Sequence, residues 1–144
     1  MNIKTKFLGV VTIEEKKIIQ FPNGLPGFED IKEFIILPLE KESPFAILQS
    51  IKQQEIGFVV AFPFVFKQDY AFDLAEEDKE ELQIESPDDL ITYTIVTLKE
   101  PFNHSTINLQ APVLINHKQK IGKQLVLQDG EIHPLRFPIE GRDI

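Results

Sequence analysis

Short apolar stretches broken by Pro, Gly, Ser or charged residues run through most of the chain. Ile3 to Ile13 (IKTKFLGVVTI) mixes β-branched residues with Lys and Thr around Gly9 and predicts a strand. The polar turn Glu14-Glu15-Lys16-Lys17 then leads into Ile18 to Phe21, completing an opening hairpin. Pro22 to Glu29 (PNGLPGFE) carries two prolines and two glycines, a composition that forces turns and removes a ladder donor at each proline. Phe34 to Leu39, Phe45 to Ile51 and Gly57 to Phe62 follow as strands with no helical pattern between them, the rhythm of a sandwich or a barrel. Leu90 to Leu98, Thr106 to Leu109, Val113 to Asn116 and Gln124 to Gln128 continue it, and Asp129-Gly130 marks a hairpin before Glu131 to His133.

One region departs from this rhythm. Asp73 with Glu76 three positions later has the form of a capping box, and Ser86-Pro87-Asp88-Asp89 offers an N-cap followed by proline at the first helical position. Two short helices are predicted there. Phe58, Phe62, Phe64 and Phe66 all stand at even positions, so on a continuous strand they share one face, mostly core. Pro63 inside that row predicts an edge strand or a bulge. No repeat, low-complexity tract or linker divides the chain, so residues 1–138 read as a single domain. Ile139-Glu140-Gly141-Arg142 spells a protease-cleavage site, and residues 139–144 are read as the remnant of a tag.

Composition narrows the function. The chain has 144 residues, 42% apolar and 26% charged, which suits one hydrophobic core. The absence of Cys excludes disulfides, thiolate zinc sites and a cysteine nucleophile. The longest apolar run, Gly57 to Phe66, is about half a bilayer span, and the first residues lack the apolar core of a signal peptide. A cytoplasmic location with no membrane association is expected. Net charge is −8, and the acidity is local: Asp69 to Asp89 holds ten acids against Lys79 alone, while the rest is close to neutral. That balance opposes direct binding to nucleic acid, for which Lys118, Lys120 and Lys123 form the only basic cluster. It suits either a solvated face or a docking surface for a basic partner.

Catalytic constellations are missing. His104, His117 and His133 lie in separate segments without metal-ligand spacing, and neither GxSxG, GxGxxG nor GxxxxGK occurs. The carboxylates are crowded, whereas general acid catalysis needs an isolated, desolvated one. No enzyme, metal or cofactor is expected. The rival reading is a small-ligand module or enzyme whose barrel encloses a pocket lined by the phenylalanine row.

Three strings occur in order: Phe21 to Glu29 (FPNGLPGFE), Pro44 to Ser50 (PFAILQS) and Asn108 to Asn116 (NLQAPVLIN), followed by Gly122 to Leu125 (GKQL). They resemble the flagellar assembly factor FliW family, over about residues 3–138. The resemblance implies a compact antiparallel, barrel-like β domain that binds two proteins, the RNA-binding regulator CsrA and flagellin. Partner exchange follows: when flagellin is exported, the freed factor sequesters CsrA and relieves repression of flagellin translation. Within the strings, Pro22, Gly24, Pro26 and Gly27 read as turn residues, and Leu25 and Phe28 as anchors. The candidate partner-binding residues are Gln49, Ser50, Asn108, Gln110 and Asn116, polar positions in apolar strings, with Phe62 and the glutamates Glu76, Glu77, Glu80 and Glu81.

Overall fold

The computed structural model describes residues 1–128 and 133–139. Strands β1 (Asn2–Lys4) and β2 (Val10–Thr12) form an antiparallel hairpin. Across its turn the Thr5 hydroxyl donates to the Gly9 carbonyl at 2.6 Å, with Gly9 at φ +68°. The opening hairpin thus lies inside the segment expected to be one strand, because Thr5 and Gly9 close a turn there, and Glu15–Lys17 is one 3-10 turn. The chain continues through β3 (Ile19–Gln20), β4 (Glu33–Pro38), β5 (Phe45–Ser50), β6 (Gly57–Ala61) and helix α1 (Glu76–Glu81). Then come β7 (Leu90–Thr97), β8 (Thr106–Ile107), β9 (Val113–Asn116), β10 (Ile121–Gln124) and β11 (Phe137–Pro138).

Seven strands close into a barrel in the order β7, β6, β5, β4, β3, β10, β9 and back to β7. Closure removes the exposed edges that a flat sheet would leave. Every pairing is antiparallel except that of β10 with β3. The long β7 makes closure possible: Leu90 to Tyr93 pair with β9, Thr94 and Ile95 with β6, and Val96 and Thr97 with β8.

The interior is packed by Phe21, Phe34, Leu48, Val60, Tyr93 and Val113, among others. Phe21 and Phe34 meet edge to face, ring centroids 5.2 Å apart. Each such burial stabilises by about 1.5–3 kcal/mol. The Pro22 to Glu29 loop plugs one end, with Leu25 only 2% exposed and Phe28 against Phe58 at 5.4 Å. Gly24 turns there at φ +63°, where a Cβ would lie 2.5 Å from the Phe28 carbonyl oxygen. On β10, a side chain at Gly122 would run into the Phe21 ring.

The outer wall is covered as well. The β1–β2 hairpin lays Ile3 and Ile13 against Ile35 of β4. Tyr70, Leu109 and Ile139 cover Phe45, Ile47 and Val59 of β5 and β6. Leu82, after α1, packs on Leu114 of β9. Hence all six residues of β5 are buried, and Phe45 to Leu48 read as an apolar run instead of an alternation, with Gln49 and Ser50 as buried polar residues at its end.

Several expectations are corrected. β6 lies between β5 and β7, not at an edge. It ends before Pro63, which opens a 3-10 turn over Pro63–Val65. The phenylalanine row is broken by that turn: Phe62 stacks on Tyr93 at 5.0 Å, while Phe66 packs outside the barrel on Phe45. The final barrel strand is Ile121–Gln124 and not Gln124 to Gln128, because Asn116 caps a tight turn over residues 117–120, with Lys120 at φ +57°. Asp73 caps nothing, since Ala75 occupies the N-cap of α1 without a side-chain bond. Ile139 is 1% exposed and its N–H donates to the Ser105 carbonyl at 3.2 Å, so this residue belongs to the fold and not to a tag. The Asp129-Gly130 hairpin with Glu131 and Ile132, and residues 140–144 of the expected tail, lie outside the described residues.

Candidate protein-binding surface

The acidic segment Asp69 to Asp89 is held against the barrel wall by groups from β9, β10 and the turn between them. Beneath it, Asn116 donates to the carbonyls of Leu82 at 2.8 Å and Gln83 at 3.1 Å. Lys123 of β10 reaches Asp78 at 2.7 Å and also pairs with Glu81, and these carboxylates hold its ammonium group above its ordinary pKa. Farther on, Ser86 is the N-cap expected from the sequence, on the 3-10 turn Pro87–Asp89, and Asp89 completes a capping box there. Asp89 accepts from the N–H groups of Glu85 and Ser86 at 3.0 and 3.1 Å and pairs with Lys118 at 2.8 Å. The Lys118 ammonium, followed by these backbone donors, lowers the Asp89 carboxyl to about 2. The His117 ring meets the Asp88 carbonyl at 2.8 Å.

These clamps leave a defined remainder. Asp69, Glu76, Asp78, Glu81 and Asp89 are ion-paired. Asp73, Glu77, Glu80, Glu85 and Asp88 are exposed and form no ion pair among the described residues. Beside them Leu74, Ile84, Pro87 and Leu90 line a cleft of about 300 Å³. Five carboxylates without an ion pair among the described residues, next to an apolar cleft on a segment tied down along its length, suit a basic partner that carries an apolar anchor. Among the described residues no group of three or more His, Asp or Glu is arranged to hold a metal ion, and no helix is long and apolar enough to cross a membrane.

The sequence-derived candidates separate into two kinds. Glu76, Glu77, Glu80 and Glu81 come together on α1 and are exposed. Gln49, Ser50 and Asn116 are each 0% exposed, which corrects their reading as contact residues. The Gln49 amide nitrogen, with two hydrogens to donate, lies within reach of the carbonyls of Ser50, Gln53, Gln54 and Ile56, and its oxygen accepts from the Lys6 N–H at 3.0 Å. Ser50 accepts from the Gln53 N–H at 3.1 Å. Asn108 accepts from the N–H groups of Gln110 and Ala111 at 3.0 Å, and Gln110 reaches the Leu127 carbonyl; both are half-buried. Phe62 is half-buried against Tyr93. Buried amides satisfy the backbone here because a burial without partners is costly.

What sequence reasoning missed are the clamps. In sequence Lys118 and Lys123 read as part of a basic cluster, yet in the fold both pair with carboxylates of the acidic segment. Lys118 carries only a weak signal, its position two residues after the Asn116 string, and Lys123 carries none.

Comparison with known proteins follows the same outline. Residues 2–139 match the family model described as FliW protein. The flagellar assembly factor FliW of Bacillus licheniformis is 50% identical over 141 residues, covering 98% of each chain. That of Bacillus subtilis (strain 168) is 44% identical over 141 residues, again covering 98% of each. A crystal structure of the flagellar assembly factor FliW aligns with a TM-score of 0.90 at 37% identity over 100% of both chains.

Proposed function

Because the chain belongs to the FliW family of flagellar assembly factors, we propose that it acts by exchanging two protein partners, the RNA-binding regulator CsrA and flagellin. In this reading it is a cytoplasmic, non-catalytic antagonist: bound to flagellin it leaves CsrA on its mRNA, and once released it captures CsrA and restores translation. The observation that carries the CsrA half is the pinned acidic face with its five unpaired carboxylates. A protein that binds RNA is basic where it meets phosphate, so this face attracts that surface and repels RNA. The Leu74, Ile84 and Leu90 cleft supplies the apolar anchor, since exposed charge pairs are worth less than about 1 kcal/mol each.

Titrating the protein into a labelled RNA–CsrA complex tests the idea. RNA is expected to be displaced, and flagellin added afterwards to restore RNA binding; unchanged RNA occupancy at saturating protein rejects it. Replacing Glu76, Glu77, Glu80 and Glu81 together by Gln should weaken CsrA binding about tenfold to a hundredfold by calorimetry. Affinity unchanged within about twofold would make the segment a merely soluble face.

A further inference from the structure

The end of the barrel away from the Leu25 plug is open. A cavity of about 190 Å³ lies there, lined by Ile36, Ile91, Ile115 and Tyr93, with Lys17, His117 and Lys120 around it. Ile36 and Ile91 pack with the interior cluster yet remain partly exposed, so the opening leads into the barrel. The cavity is smaller than the ~300–1,000 Å³ of drug-sized ligand sites and accommodates a short chain better than a ring cofactor.

Its polar groups have one character. Tyr93 is 6% exposed and stacked on Phe62, and its hydroxyl makes no hydrogen bond among the described residues. The comparably buried Tyr70 donates its hydroxyl to the Leu109 carbonyl at 2.7 Å. The Tyr93 hydroxyl is not among the buried unpartnered atoms; it meets solvent at the cavity, where an entering acceptor would take the place of water. The Lys120 ammonium donates to the His117 carbonyl but pairs with no carboxylate among the described residues. Lys17 meets only Glu14, at 3.8 Å on the surface, and the His117 ring is engaged by the Asp88 carbonyl. Two cations and a free hydroxyl around an isoleucine-lined hole, in a protein of net charge −8, select an anion with an apolar tail.

We propose that this mouth binds a short aliphatic monocarboxylate, its chain against the isoleucines and its carboxylate toward Lys120, Lys17 and the Tyr93 hydroxyl. The site adjoins the acidic face through the His117 contact to the Asp88 carbonyl but is lined by different side chains from the Leu74, Ile84 and Leu90 cleft.

Hexanoate is the probe, titrated into intact protein carrying ¹³C-labelled isoleucine methyls, with hexan-1-ol (same chain, no charge) and acetate (same charge, no chain) as controls. Hexanoate should shift the Ile36, Ile91 and Ile115 methyl signals saturably, and each control should bind about tenfold more weakly or worse. Lys120→Gln on the rim should weaken hexanoate about threefold to tenfold at an unchanged unfolding midpoint, and Tyr93→Phe should act in the same direction. The absence of a saturable shift, hexan-1-ol matching hexanoate, or full affinity in Lys120→Gln would each overturn the proposal. If Tyr93→Phe does not fold, the three ligands against the parent protein and Lys120→Gln decide.

Discussion

Asn116 and the glutamates of α1 lie on opposite sides of one packing contact, and they use polarity in opposite ways. Below the acidic segment, the Asn116 amide is wholly buried and all its hydrogen bonds go to backbone groups, two on each side of the contact. Above it, Glu77 and Glu80 face water without a partner among the described residues. The buried group is committed to structure, because an unpaired polar atom in the interior is destabilising. The exposed group costs the fold little and so remains available to another molecule. A polar residue inside an apolar string therefore signals backbone satisfaction here, whereas a polar residue in a crowded acidic run signals a surface.

Asn116→Ala strikes the buried side and should have the largest effect. It strands two carbonyls and two N–H groups, with an expected loss of roughly 3 kcal/mol and a Tm lower by about 10 °C. Asn116→Asp sharpens the contrast, since it keeps the acceptor for Lys118 and Gln119 but sets a buried carboxylate oxygen against the Leu82 and Gln83 carbonyls; at neutral pH thermal unfolding should place it at or below Ala. A loss under about 0.5 kcal/mol in Asn116→Ala would mean that water replaces the amide and the two sides do not differ as argued.

Asp89 sits between the extremes, buried yet charged, and its effect is confined to acid. Its folded pKa is lowered from 3.8 to about 2, so its contribution is complete above the unfolded value and is lost as pH falls from about 4 toward 2. Asp89→Asn should lower Tm at neutral pH, and the gap to the parent should close across that window. A gap of constant size from about pH 7 to pH 2 would show that side-chain shape, not charge, holds the turn.

The smallest expected effect on stability comes from the exposed side. Glu76, Glu77, Glu80 and Glu81 changed together to Gln should leave stability in urea within about 0.5 kcal/mol, even though the proposed CsrA binding is expected to fall. Asp78 still holds Lys123 in that variant. A loss above about 2 kcal/mol would mean that these carboxylates serve to dock α1, and the electrostatic reading of the face would have to be withdrawn.

Local chemistry was enough for the parts whose cause is local. Proline and glycine over Pro22 to Glu29 dictated a turn, Ser86-Pro87 a cap, and the succession of short apolar runs an all-β chain, because turn geometry and side-chain period act within a few residues. The acidic segment and the three family strings were likewise visible as written. Long-range pairing decided the rest. That β7 closes on β9, that β10 runs parallel to β3, and that β5 is covered on both faces depend on contacts between distant segments. The clamp of Lys123 on Asp78 spans 45 positions, and nothing in either neighbourhood distinguishes that lysine from a solvated one. Gln49 and Asn116 could not be separated from the exposed glutamates for the same reason. Burial is a property of what the rest of the chain places overhead, and a residue's own neighbours in sequence do not carry it.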